Sequence, residues 1–248
     1  MFWNIPIFAF VSALLCSFSF TAEKRSPAQS ESGANVRTLR FKAGPAQPEY
    51  TLQIYTSAAQ GIIKVIDGAG NLLQTLTCLL DSSQVGAVSH QFIERFTVED
   101  LNLDGYLDVR GTRSFGAKWS LDCIWLYDPQ SHNFYQDMLS QQMETLSNLI
   151  VDPKHHRIVS YSIGPANPLQ DEYRIERTGK NRPYWPRLIP VKSCFLDTDG
   201  SDMENATSGK FTTVITRYEN GRSVVERHPL ASRAKVGLDT QCGALNYR

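Results

Sequence analysis

Asp100-Leu101-Asn102-Leu103-Asp104-Gly105-Tyr106-Leu107-Asp108 decides how the rest of the chain is read. It places oxygen-bearing side chains at alternate positions, then a glycine, then one more carboxylate. Alternate residues of a tightly curled loop point inward, so Asp-x-Asn-x-Asp converges on one hard cation. The glycine takes a backbone conformation that a side chain opposes. The pattern is the front half of an EF-hand-type calcium loop. Asp100, Asn102, Asp104 and Asp108 stand at ligand positions 1, 3, 5 and 9, the Tyr106 carbonyl at 7 and Gly105 at 6. Position 12, where a bidentate Glu belongs, is Gly111. The flanks do not read as amphipathic helices. Gln91–Val98 is rich in β-branched and aromatic residues and Leu107–Arg110 alternates, so both predict strands. The loop therefore predicts a structural Ca²⁺ held between strands. A turn of Asp, Asn and Gly that binds nothing is the plainer alternative. Three carboxylates this close repel one another without a cation, which favours the ion.

Outward from the loop, the body reads as a succession of antiparallel hairpins. Ile62–Ile66 and Leu72–Leu76 flank a Gly-rich turn. Cys123–Tyr127 and Phe134-Tyr135 flank Asp128–Asn133, and Leu149–Val151 and Ile158–Ser162 flank Asp152–Arg157. Tyr173–Arg177 precedes another turn, and Phe211–Tyr218 and Ser223–Arg227 flank Glu219-Asn220-Gly221-Arg222. Asn-Gly is a strong tight-turn signal, and Asp-Pro fixes the chain for a type I turn. Short strands at this spacing predict an all-β fold: an antiparallel hairpin meander arranged as a sandwich or a propeller-like array. One short helix is predicted within Tyr135–Asn148.

Upstream, Met1–Ala22 carries no charged side chain and holds an apolar run from Ile5 to Leu15. It is too short for a transmembrane helix and reads as a secretory signal peptide (residues 1–22). The mature protein is then expected in the periplasm, without a membrane span. A lipid anchor at Cys16 and an uncleaved anchor are the weaker readings; Leu14 and Leu15 suit a lipid-attachment box poorly. Residues 23–35 are rich in Ser, Gln, Glu, Ala and Pro and predict a flexible linker, leaving 36–248 as a single β-rich domain. Lys and Arg number 25 and Asp and Glu 25, so no broad electrostatic case exists for nucleic acid or an anionic membrane. Cys78, Cys123, Cys194 and Cys242 remain after the signal, with no CxxC and no histidine at zinc spacing. They predict two disulfides in an oxidising compartment. Three connectivities exist; Cys78–Cys123 with Cys194–Cys242 is favoured because it staples each half separately, each bridge contributing on the order of 4 kcal/mol.

Nothing points to an enzyme. The chain lacks Gly-x-Ser-x-Gly and His-Glu-x-x-His. His155-His156 sits in a predicted turn, and His90, His132 and His228 are isolated. Asp197-Thr198-Asp199-Gly200-Ser201-Asp202 is a looser acidic loop, better read as exposed than as a second ion site. The remaining stretch of interest is Gly111–Ser120, just after the calcium loop. Arg113, Ser114, Gly116, Lys118 and Trp119 supply the aromatic and cationic anchors that a stiff, protein-binding wedge uses. The alternative places Phe115 and Trp119 in the core.

A strand, then Asp-x-Asn-x-Asp-Gly-Tyr-x-Asp, then a Ser/Gly-containing loop, then Trp125-Leu126-Tyr127-Asp128-Pro129 with Asn133-Phe134 resembles a family over roughly Phe92–Ser162. That family comprises periplasmic immunity proteins found beside secreted peptidoglycan hydrolases in Xanthomonas-like bacteria, related to inhibitors of invertebrate-type lysozyme. The resemblance implies an all-β fold, a structural Ca²⁺ and a loop that plugs the glycan cleft of a lysozyme-like enzyme. Ser114–Trp119 is the matching loop, and it departs from the family's Ser-Gly-x-x-Tyr-like pattern: Phe115 intervenes and Trp119 replaces Tyr. The expectation is an exported inhibitor of a peptidoglycan hydrolase. The alternative is a calcium-stabilised extracellular binding or adhesion module.

Overall fold

A computed structural model describes residues 36–163, 168–177, 186–198 and 211–230. Strands β1 (Arg37–Lys42), β2 (Glu49–Ser57), β3 (Gln60–Ile66) and β4 (Leu72–Leu79) form the first sheet in that order. Helix α1 (Val85–Glu94) follows, then the second sheet of β5 (Thr97–Glu99), β6 (Asp108–Phe115), β7 (Ser120–Asp128) and β8 (Asn133–Tyr135). Helix α2 (Met138–Met143) leads to the third sheet, which runs β9 (Ile150–Asp152), β10 (Arg157–Ile163), β11 (Pro168–Glu176), β12 (Arg187–Thr198), β13 (Phe211–Glu219) and β14 (Arg222–Leu230). Within each sheet, sequence neighbours pair antiparallel, so the fold is the expected all-β meander, built as three open sheets. The body Ala34–Arg248 is one compact unit. No described helix is long and apolar enough to cross a membrane.

The middle sheet lies between two cores. Cys123, Trp125 and Tyr127 of β7 join the first sheet's Tyr50, Leu52, Ile54, Ile63 and Val65. Ile124 and Leu126, on the opposite face, join Leu139 and Met143 of α2, Leu149 and Ile158. A continuous apolar run is what a strand covered on both faces needs. Each such buried side chain contributes about 1.5–3 kcal/mol. The Cys78–Cys123 disulfide links β4 to β7, the pairing favoured among the three as a staple of the first half. Cys194 is also disulfide-bonded. Its predicted mate Cys242 lies outside the described residues, as do the predicted signal, Cys16, the linker residues 23–35, and Asp199 and Asp202.

The strand predicted over Gln91–Val98 is corrected. Residues 85–94 are helical, and only Thr97–Glu99 pair as a strand. Val88 and Phe92, four residues apart, share the buried face. The Arg37 guanidinium donates to the carbonyls of Ile93, Glu94 and Phe96 at 2.9, 2.8 and 3.2 Å, satisfying acceptors that the end of the helix leaves open. Helix α2 falls inside the predicted stretch, opened by a capping box between Asp137 and Ser140.

Phe92 also explains position 12 of the loop. A Cβ added at Gly61 or Gly111 would lie 2.4 or 2.5 Å from its ring. Gly111 therefore serves the seat of α1 on β6 and is unavailable for a cation ligand. Gly111→Ala is expected to destabilise the protein by about 2–3 kcal/mol. Phe92→Leu in the same chain should recover part of the loss in a urea melt; a purely backbone effect of the alanine would show no recovery.

Candidate functional site

The loop between β5 and β6 is curled by its own side chains. Asp100 Oδ1 and Oδ2 accept the N–H groups of Asp104 and Gly105 at 3.0 and 2.9 Å. Asn102 Oδ1 accepts the Asp104 N–H at 3.0 Å, and Asp104 Oδ1 accepts the Tyr106 N–H at 2.9 Å. Each Asx side chain thus bonds backbone a few residues on, which is why Asp and Asn favour such turns. Leu103 and Gly105 hold positive φ of 59° and 91°. The glycine does so without strain; Leu103 is held there by the bonds on either side.

Asp100, Asn102 and Asp104 therefore crowd together, with the Asn102 amide donating to Asp104 Oδ2 at 2.9 Å. Among the described residues, no three His, Cys, Asp or Glu side chains form a ready metal cluster. An ion here would draw on the Asn102 amide oxygen and the Tyr106 carbonyl as well. Each carboxylate oxygen keeps a second lone pair after its hydrogen bond to backbone or to Asn102. The set is all oxygen and carries two carboxylates, which fits a hard divalent cation such as calcium.

Asp108 is placed differently from Asp100 and Asp104. It is fully buried. Its Oδ2 accepts the N–H groups of Leu101 and Asn102 at 2.9 and 3.2 Å, and its Oδ1 accepts that of Tyr127 at 2.8 Å. Of four acceptor positions on the carboxylate, one on Oδ1 is left. Burial pushes the Asp108 carboxyl up to about 8; the neighbouring Asp104 charge adds to the rise, and the backbone N–H groups oppose it. Its main work is to lock the start of the loop onto β7.

The predicted binding loop is the β6–β7 hairpin. Ala117, Lys118 and Trp119 are exposed at its tip, and Trp119 is 39% exposed. The Gly116 N–H donates to the Trp119 carbonyl at 2.8 Å, closing the turn. A Cβ on Gly116 would fall 2.2 Å from the Trp119 indole nitrogen, so the glycine lets the indole fold against the turn. Ser114 and Arg113 are turned inward. Ser114 Oγ donates to Asp81 Oδ2 at 2.9 Å, and Arg113 Nη2 donates to the Glu144 carbonyl at 3.3 Å. On the other strand, Asn148 Nδ2 donates to the Lys118 carbonyl at 2.9 Å and Ser120 Oγ donates to Asn148 Oδ1 at 3.2 Å. An open groove of about 590 Å³ separates the tip from the start of α1, lined by Val85, Ala87, Phe115 and Ala117 among others.

Sequence reasoning missed Asp81 and Asn148, the two anchors of the tip. Asp81 has a local signal as the acceptor for Ser83 at the start of a short 3₁₀ turn, and Asn148 as an Asn at positive φ. Neither signal names the hairpin it serves, which lies some thirty residues away in both cases. No family model, curated protein or solved structure matches this chain.

Asp108→Ala removes the acceptor of three buried N–H groups and is expected to destabilise by roughly 3 kcal/mol or more. The loss should be similar with calcium and with chelator, because the bonds are to backbone. A loss confined to calcium-containing buffer would instead assign Asp108 to the ion.

Proposed function

We propose that this chain is an exported, calcium-stabilised β-protein that inhibits a lysozyme-like peptidoglycan hydrolase in the periplasm, and is not itself an enzyme. The observation that carries the reading is the β6–β7 tip, which presents Lys118 and Trp119 on a turn tied down at both strands. A glycan cleft offers catalytic carboxylates and flat sugar subsites. An ammonium is attracted to the first, and an indole covers the second. Because the turn is fixed in advance, little conformational freedom is lost on docking. Ser114 and Arg113 act as supports for the tip, leaving Lys118 and Trp119 as the contact residues.

Calcium in this reading is structural. Asp100, Asn102, Asp104 and the Tyr106 carbonyl would hold it, and it would neutralise the crowding of Asp100 with Asp104. It supplies charge balance and no reaction step. Calcium should raise the melting temperature of the protein, and Asp104→Ala should abolish that rise. An equal melting temperature for the wild-type protein in calcium and in chelator sinks the calcium assignment.

Titration of the purified protein into muramidases, and into any hydrolase encoded beside it, should give stoichiometric loss of cell-wall lysis for one enzyme. Trp119→Ala should weaken that inhibition at least tenfold while leaving the fold within about 1 kcal/mol. Undiminished lysis in every case, with the protein folded and calcium-loaded, would favour a binding module without inhibitory activity.

A further inference from the structure

Strand β14 ends the third sheet, with β13 as its sheet neighbour among the described residues. It is nine residues long, and its register with β13 shows no bulge. Asn220 and Gly221, at φ of 51° and 74°, make the two-residue turn of the β13–β14 hairpin. Glu219 and Arg222, flanking that turn, are therefore a hydrogen-bonded pair. By alternation Val224 and Glu226 direct their backbone groups to β13, while Ser223 and Val225 direct theirs outward. Pro229 falls in the outward set, where a missing N–H leaves no gap in the ladder. Among the described residues, side chains on both faces of this end of the hairpin are exposed. Val224 and Val225, which point to opposite sides, are 50% and 52% exposed, and Tyr218 is 42% exposed.

Long, regular edges invite another strand, and natural sheets usually blunt them with bulges, charged side chains or proline. β14 has no bulge, and Pro229 stands five residues from Val224, near the strand's far end. Its charges instead form a self-complementary pattern. Arg222, Val224 and Glu226 share one face, with Val224 midway. Arg222 pairs with no carboxylate among the described residues, whereas Glu226 meets Arg217 at 2.5 Å and His228 at 3.4 Å.

We infer that β14 pairs antiparallel with β14 of a second copy of this chain, about a twofold axis through Val224. In that register Ser223 faces Val225 of the second copy, and both direct their backbone groups to the shared edge. Arg222 then lies opposite Glu226 of the second copy, and the reverse, in the non-hydrogen-bonded pairs where side chains approach most closely. Val224 meets its own mate. An axis through Val225 keeps the backbone parity but sets Val224 against Glu226, losing both ion pairs. Charge complementarity therefore selects one register. The isologous contact closes on itself as a dimer and does not propagate. A single strand pair is a small interface, so the dimer is a weak one.

Sedimentation equilibrium of the full chain, up to about 500 µM to reach a weak dimer, tests this. A monomer–dimer equilibrium is expected. Val225→Pro removes an outward N–H and should leave a monomer at every concentration, with an unchanged circular dichroism spectrum. Arg222→Glu should weaken the dimer at least tenfold, and Arg222→Glu with Glu226→Arg should restore it to within about threefold. The charge variants carry the test if the proline variant does not fold. A monomer at all concentrations overturns the inference, as does a dimer indifferent to both Val225→Pro and Arg222→Glu.

Discussion

The Asp108 carboxyl group is the constraint from which the middle of the molecule is arranged. A buried carboxyl group is unfavourable unless its oxygens are met by donors. Here the donors are backbone N–H groups from two distant places: Leu101 and Asn102 at the start of the loop, and Tyr127 on β7. Meeting that demand fixes the loop, the first residue of β6 and the end of β7 in one arrangement. Tyr127 carries it further. Its hydroxyl lies 3.0 Å from that of Tyr50 on β2, 2.9 Å from Gln47 Oε1 and 3.1 Å from His132 Nδ1. The Leu107 N–H donates to the Ala43 carbonyl at 2.7 Å, so the far end of the loop is tied to the first sheet as well. The two β-sheets that share a core are thus joined by directed bonds, which set an orientation that non-directional apolar packing leaves open.

How much of this was legible follows from how local each signal is. The hairpins around residues 67–71, 128–133 and 219–222 were readable because turn chemistry and flanking apolar runs sit within one short window. Cys78–Cys123 was readable as a staple of one half. Helix α1 was not. Phe92, Ile93, Phe96 and Val98 have strand-like propensity, and propensity is a weak prior where tertiary packing disagrees. The packing that decides the matter comes from Gly61, Gly111 and Arg37, none of which lies in the window. Gly111 is instructive. Read in the loop's frame it is a missing ligand; read against Phe92 it is a close approach of helix to strand. The same residue answers to two constraints, and only one is visible along the sequence.

The candidate site divides in the same way. Alternating Asp-x-Asn-x-Asp made the curl of the loop legible, because each side chain bonds backbone within a few residues. Asp108 fits that spacing equally well, yet its partner Tyr127 lies nineteen residues on. The spacing alone makes it a ligand; the fold makes it chiefly a latch. Ser114 shows the same shift of role at the tip. Its hydroxyl looked free to meet a partner, and Asp81, thirty-three residues earlier, takes it. Lys118 and Trp119 keep their exposure because the turn that carries them has already been satisfied by others.

Strand β6 separates the loop from the tip. Asp108 is its first residue and Phe115 its last. At about 3.4 Å per residue the two ends stand more than 20 Å apart. Proximity in sequence therefore does not become contact in space, and a cation among Asp100, Asn102 and Asp104 would not touch the Trp119 side chain. Within this chain, such an ion would act on the tip only through the persistence of β6 and the core beneath it. The stiffness of the tip comes from nearer groups: Asp81 on one side, Asn148 on the other, and the indole folded over Gly116. The candidate contact residues and the candidate cation ligands are thus different residues, and a change in one set should leave the other intact as long as the strand between them remains folded.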